Sequence, residues 1–195
     1  MKDEMIKWYN DSLEQYGPND FRSITWADSE GKSAIKRYQQ MNDICPFADK
    51  TIIEVGCAWG SFFDFGFTAK RYMGCDINEK LIELAKTKYT DNIFFVYDIS
   101  EEASPVNSEL VICTGVAGNQ GGPADHPTKL PVFLNNLMKL GDTVLVNFPS
   151  THSTIRAKNI EYFSPSDVLT AALQITPNVT LYHQNMADFL IKMEK

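Results

Sequence analysis

The sequence is poor in the residues that build metal centres and disulfide frameworks. It has four cysteines, Cys45, Cys57, Cys75 and Cys113, none spaced as C-x-x-C, and three widely separated histidines, His126, His152 and His183. No zinc-ligand spacing exists, so no metal is expected. Three of the cysteines fall inside apolar runs and read as small core hydrophobes, and free thiols of this kind suit a reducing compartment. No dense run of lysine or arginine occurs, and the net charge of -7 repels phosphate backbones, which disfavours nucleic acid as a partner. No apolar run approaches the roughly 18 residues that span a bilayer. The charged start MKDEMIKWYN lacks the apolar centre of a signal peptide, so the expected location is the cytoplasm, away from any membrane. Internal repeats, low-complexity tracts and linkers are also missing. What is there is 195 residues, 44% hydrophobic and 22% charged, which fits one globular domain with a core of its own.

Residues 1–16 and 28–44 read as two helices, the first broken by Gly17-Pro18-Asn19-Asp20 and the second capped by Asp28 or Ser29. The pattern then changes to alternating strands and helices. Strands are expected at 51–55, 71–76, 92–97, 110–113 and 143–148, with helices over 61–69, 79–88 and 130–139. A further helix opens at Ser164-Pro165, with Ser164 as its cap. Two short strands, 179–183 and 189–193, are close enough to pair. Such alternation implies a parallel sheet with helices on both faces, whose ligands bind at the carboxyl ends of the strands.

The residues after each strand therefore carry the chemistry. After the first comes Gly56-Cys57-Ala58-Trp59-Gly60, with a small residue at every second position, so that a ligand can lie against the backbone. A dinucleotide fingerprint would place its last glycine at position 61, which is Ser61. After the second strand comes Asp76, about twenty residues beyond Gly56, where a carboxylate accepts from the two hydroxyls of a ribose. Ile77 offers an apolar face to an adenine. The simpler role for Asp76 is to cap the following helix. After the third strand, Asp98 is placed to accept from an adenine amino group and the Ile99 amide to donate to a ring nitrogen.

Together the segments Glu54-Val55-Gly56-Cys57-Ala58-Trp59-Gly60, Gly74-Cys75-Asp76-Ile77-Asn78 and Val96-Tyr97-Asp98-Ile99 resemble three successive motifs of the class I S-adenosylmethionine (SAM)-dependent methyltransferases. Ser108 to Gly115 resembles the fourth-strand motif. Trp26 followed by Lys36-Arg37-Tyr38, then Val146 to Ser150 and Asp188 to Ile191, are similar to a small single-domain subgroup. The resemblance implies a Rossmann-like α/β fold with seven strands, mostly parallel, the last antiparallel. Residues 1–48 would form a helical extension or lid and 49–195 the SAM-binding core of one domain. It implies that Glu54, Gly56, Cys57, Ala58, Trp59 and Gly60 lie at SAM, that Asp76 and Ile77 hold the ribose and adenine, that Asp98 and Ile99 read the adenine, and that Thr114 and Gly115 flank the methionine part. Trp26 would cover the cofactor and Arg37 pair with its carboxylate. Ala58 stands where the family usually has glycine, and Glu54 where it usually has aspartate.

Catalytic residues are less defined. Asn119 and His126 lie in or after the glycine-rich stretch following the fourth strand, and His152 follows the fifth; an imidazole titrates near neutrality and suits a base. His183 reads as lying within a strand, away from this edge. The N/D-P-P-Y motif of amino-methylating enzymes is absent, and a small molecule is the expected methyl acceptor. No particular oligomeric state is indicated. Two other readings are a SAM-binding regulatory module without catalysis, and an NAD(P)-dependent oxidoreductase, which the glycine spacing opposes.

Overall fold

The computed structural model describes residues 2–24, 26, 28–100, 106–119, 122–124, 128–184 and 186–195. By their contacts the residues form two compact units, Met1–Asp98 and Ile99–Lys195.

The first unit opens with helix α1 (Lys2–Tyr16), a 3₁₀ turn (Phe21–Ile24) and helix α2 (Lys32–Ile44). Gly17 ends α1 in the left-handed region, its amide donating to the Leu13 carbonyl at 2.9 Å. Helix α2 starts four residues later than the sequence predicts. Asp28 Oδ1 accepts the amides of Glu30 and Lys32, each at 3.0 Å, so Asp28 closes a turn ahead of the helix instead of capping a first turn of its own. Strand β1 (Thr51–Val55), helix α3 (Ser61–Asp64), strand β2 (Arg71–Asp76), helix α4 (Glu79–Lys88) and strand β3 (Ile93–Val96) follow. β2 lies parallel to both neighbours, pairing Ile53 with Met73 on one side and Cys75 with Phe95 on the other. The helix expected over 61–69 is a single turn. Phe62 packs 5.0 Å from Tyr72 and Phe67 5.5 Å from Phe47, and Gly66 turns the chain at φ 78°. Tertiary aromatic packing outweighs local helical preference here.

The second unit contains strand β4 (Ser108–Cys113), helix α5 (Lys129–Leu140), strand β5 (Gly141–Pro149), helix α6 (Pro165–Leu173), strand β6 (Asn178–Tyr182) and strand β7 (Asp188–Glu194). β4 and β5 are parallel, Val111 facing Val144. Gly141 passes directly from α5 into β5, so the strand begins two residues before the predicted Thr143. Ser164 occupies the cap position of α6, but its hydroxyl meets the Ser166 hydroxyl at 2.8 Å and not a helix amide.

β6 and β7 form the expected antiparallel hairpin, and β7 also pairs antiparallel with β5. β7 therefore lies between β5 and β6. Its Phe189, Leu190, Ile191 and Met193 are buried, whereas β6 is half exposed. The more apolar strand takes the interior position and the polar one the edge. One consequence is that β6 runs parallel to β5, so their carboxyl ends share an edge. The seven strands follow the order β3-β2-β1-β4-β5-β7-β6, the mostly parallel α/β sheet with an antiparallel last strand that the sequence implies.

Candidate functional site

The loop after β1 is shaped by backbone conformation. Gly56, Ala58 and Gly60 all have positive φ, 79°, 49° and 83°. The alternation of small residues is thus a left-handed position at every second residue, which side chains resist. The Gly56 and Cys57 amides both donate to the Cys75 carbonyl, at 2.8 and 3.0 Å, pinning the loop to the end of β2. A Cβ on Gly74 would lie 2.8 Å from Cys57 Sγ, so that glycine lets the loop settle on the strand.

The methyl group of Ala58 is buried in a cluster with Phe21, Ile24, Trp59 and Leu81. It faces the protein, which is why alanine is tolerated here. Left-handed strain costs Ala58 about 1–2 kcal/mol, while burying the methyl group and restricting the unfolded chain return a similar amount. Ala58→Gly is therefore expected to leave stability within about 1 kcal/mol of wild type, measured by denaturant unfolding; a large gain would mean that the methyl group is a steric burden.

Asp76 closes the arrangement. Its Oδ2 accepts the Ala58 amide at 3.0 Å and its Oδ1 the Asn78 amide at 2.9 Å. Burial pushes its carboxyl above the usual range, and the amides of Asn78, Ala58 and Ile77 pull it partly back. Each oxygen retains a lone pair for a ligand hydroxyl. The cap of α4 is Asn78, whose side chain accepts from the Lys80 and Leu81 amides. Asp76 is thus released from the capping role that its position also allowed.

Other expected residues divide into those near the loop and those turned from it. Trp26 packs against the Ala58 cluster, and the Arg37 guanidinium lies 4.8 Å from its ring centre. Asp98 pairs with Lys2 of α1 at 2.7 Å. The same helix places Asn10 at 3.1 Å from Asn78, and Tyr9 and Leu13 against the Ala58 cluster. The side chains of Cys57 and Trp59 are buried, the Trp59 indole donating to Asp64 at 2.9 Å, so these two residues offer a ligand only main chain.

Glu54 is fully buried, and its two carboxylate oxygens accept from the hydroxyls of Tyr38 and Tyr72. It supports the loop from beneath. Burial raises its pKa from 4.5 to about 7; the two tyrosine hydroxyls oppose the rise and the charge of Asp76 adds to it. A raised folded-state pKa means that the group favours folding fully below pH 4.5 and that this contribution is lost as pH rises to about 7. The loss amounts to about 3 kcal/mol at 1.36 kcal/mol per unit. Glu54→Gln should flatten the pH dependence of unfolding across that window; an unchanged profile would show that Glu54 titrates normally.

In the second unit, Thr114 follows β4 with its Oγ1 buried and without a partner among the described residues. A polar ligand atom there would satisfy it. The Gly115 amide is held by Asn147 Oδ1 at 3.0 Å, and the Ile99 carbonyl by Asn136 Nδ2 at 2.9 Å. Asn119 is a buried turn residue bridged to Ile160. His126 lies outside the described residues. His152 is exposed at the carboxyl end of β5. His183 lies just beyond the end of β6, and its ring is 5.5 Å from that of His152. The reading of His183 as interior to a strand and remote from this edge is therefore corrected; the signal that would have found it is strand order, which no local pattern encodes.

The sequence matches no family model and no curated protein. The fold has solved counterparts. The magnesium protoporphyrin IX methyltransferase of Synechocystis with bound SAM matches with a TM-score of 0.67 at 13% identity, covering 98% of this chain and 95% of that one. The DhpI complex with S-adenosylhomocysteine (SAH) gives 0.69 at 12% identity, over 98% and 95%. A SAM-dependent methyltransferase of Clostridium acetobutylicum gives 0.65 at 9% identity, over 95% and 98%. The fold is that of the class I SAM-dependent methyltransferases. Within this methyltransferase fold, the loop after β1 and the acids ending β2 and following β3 occupy the carboxyl ends at which such sheets bind ligands.

Proposed function

We propose that this protein is a methyltransferase that uses SAM and acts on a small molecule. The observation that carries the reading is the Asp76 carboxylate, half-buried at the end of β2 and bonded to the amide of a loop with three left-handed residues in alternation. In this reading the main chain of Gly56 to Gly60 lies along the cofactor, Asp76 takes the ribose hydroxyls, Ile77 faces the adenine, and Asp98 accepts from its amino group. Arg37, steadied on Trp26, suits the cofactor's carboxylate. Helix α1, tied to Asp98 and Asn78, serves as a wall or lid.

When bound, the cofactor supplies an electrophilic methyl group on a sulfonium. The work of the chain is orientation: a rigid loop and a fixed carboxylate hold the donor so that little freedom remains to be lost at reaction. Solved neighbours whose names give a SAM or SAH complex support the cofactor, and the protoporphyrin methyltransferase supports a small-molecule acceptor. The net charge of -7 weighs against nucleic acid, and free buried cysteines fit the cytoplasm. Calorimetry with SAM and SAH tests the reading. Dissociation constants on the order of micromolar are expected. Stabilisation by NAD(H) or NADP(H) alone, in a parallel thermal-shift series, would return the oxidoreductase reading.

A further inference from the structure

Two carboxyl groups of the first unit stand at the loop after β1 without a cation. Glu54, just ahead of Gly56, is fully buried, and Asp76 is half-buried at the end of β2. The groups that act on Glu54 come from the elements around it. Helix α2 gives the Tyr38 hydroxyl, β2 the Tyr72 hydroxyl and the Asp76 carboxylate, and the loop the Cys57 thiol. Ser61, opening α3, sets its hydroxyl 3.4 Å from that of Tyr38. Burial pushes the Tyr38 and Tyr72 hydroxyls and the Cys57 thiol well above their ordinary range, so these groups stay neutral. Asp76 is served by the amides of Asn78, Ala58 and Ile77, which favour its charged form. Among the described residues no lysine, arginine or histidine acts on either carboxyl. Elsewhere in the same unit Asp64 and Asp98 each meet a lysine, at 2.6 and 2.7 Å. A buried carboxyl without a cation sheds its charge by holding a proton, and Glu54 does so up to about pH 7. A positive charge brought to the loop by a ligand removes the reason to hold it.

We propose that Glu54 makes the cofactor site selective for a positively charged sulfur: SAM drives the Glu54 proton out on binding, SAH does not, and the site thereby prefers the methyl donor to its demethylated product. This rests on the methyltransferase reading above. The sulfonium of SAM carries a fixed positive charge that the thioether of SAH lacks, while the two molecules share their adenine, ribose and amino-acid parts. Contacts of the loop and of Asp76 with the shared parts do not tell them apart, and a carboxyl that ionises in response to the sulfur does. The step balances: the Glu54 O–H bond breaks, its electron pair stays on the carboxylate oxygen, and the proton passes to the buffer. The carboxylate so formed keeps the two tyrosine hydroxyls as donors. Once the methyl group has left, the sulfur is neutral, Glu54 takes a proton back, and the product is held more weakly. The linkage has a fixed sign: SAM affinity relative to SAH rises as pH rises through the range in which free Glu54 loses its proton.

Calorimetry on the full-length protein with SAM and with SAH, run in phosphate and in Tris buffer, counts the protons exchanged on binding, because the two buffers take up a proton with different heats. At about pH 7 SAM should release about half a proton more than SAH, as a half-protonated group requires. The ratio of SAM to SAH affinity should rise by up to about tenfold between about pH 6 and about pH 8. In Glu54→Gln both effects should vanish, apart from the protons that the amino groups of the two cofactors exchange themselves. Tyr72→Phe keeps the ring and takes one hydroxyl from the carboxylate, so Glu54 holds its proton to higher pH. The rise in the ratio should move upward in pH with it, a displacement that a merely structural carboxyl would not produce, and this variant carries the test if Glu54→Gln does not fold. Equal proton release by SAM and SAH, or one pH profile of the ratio shared by wild type and both variants, would overturn the proposal and leave the methyltransferase reading standing. Wild type that binds neither cofactor would overturn that reading, and the proposal with it.

Discussion

Asp76→Ala is expected to abolish measurable SAM binding. The carboxylate holds the Ala58 and Asn78 amides and, in the proposed complex, two ribose hydroxyls. Hydrogen bonds to a charged group are each worth about 1.5–3 kcal/mol, so losing two ligand contacts should raise the dissociation constant at least about 100-fold. The same change strips two loop amides of their partner, at a stability cost of about 1–3 kcal/mol each. Asp76→Asn separates the two effects, because the amide side chain keeps one acceptor for the loop and loses the charge. It should be destabilised by about 1–3 kcal/mol, for the one amide left without an acceptor, which is less than Asp76→Ala loses, and should bind SAM at least about tenfold more weakly, one 1.4 kcal/mol step in binding free energy. Calorimetry on both variants beside wild type decides the matter, and unchanged SAM affinity in Asp76→Asn would place the ribose elsewhere.

Gly60→Ala should cause the second large effect. At φ 83° a side chain is strained, and a Cβ there would lie 2.8 Å from Tyr89 Cδ2 and 3.3 Å from Phe94 Cζ. The Tyr89 ring has little room to yield, since its hydroxyl donates to Asp64 at 2.6 Å and its ring packs 4.8 Å from Phe63. Strain and crowding together should cost about 3 kcal/mol. Gly66→Ala is the matched comparison. Gly66 has φ 78°, and a methyl group added to it would meet nothing within 4 Å, so only the conformational cost of about 1 kcal/mol applies. Denaturant unfolding of both variants measures the difference, and equal losses would show that Tyr89 gives way. SAM affinity should fall in Gly60→Ala alone, because the displaced residue belongs to the loop proposed to carry the cofactor.

Much of this protein follows from its sequence alone. The β-branched run Thr51–Val55, the small residues at 56, 58 and 60 and the acid at 76 are local signals, set by backbone sterics and strand periodicity, and they mark the end of β1, the left-handed loop and the end of β2 where the structure has them. Helix α4 has the predicted limits because its cap and apolar face are both local. Tertiary structure decided the rest. Packing of Phe62 and Phe67 with distant aromatics cut α3 to one turn. The carboxylate of Glu54 turned into a pair of tyrosine hydroxyls, from residues 16 and 18 positions away in the chain. The insertion of β7 between β5 and β6 carried His183 to the edge where His152 stands. Strand order depends on which strands bury the most apolar surface against neighbours remote in sequence, and a periodic pattern records a strand's own faces but not the strand beside it.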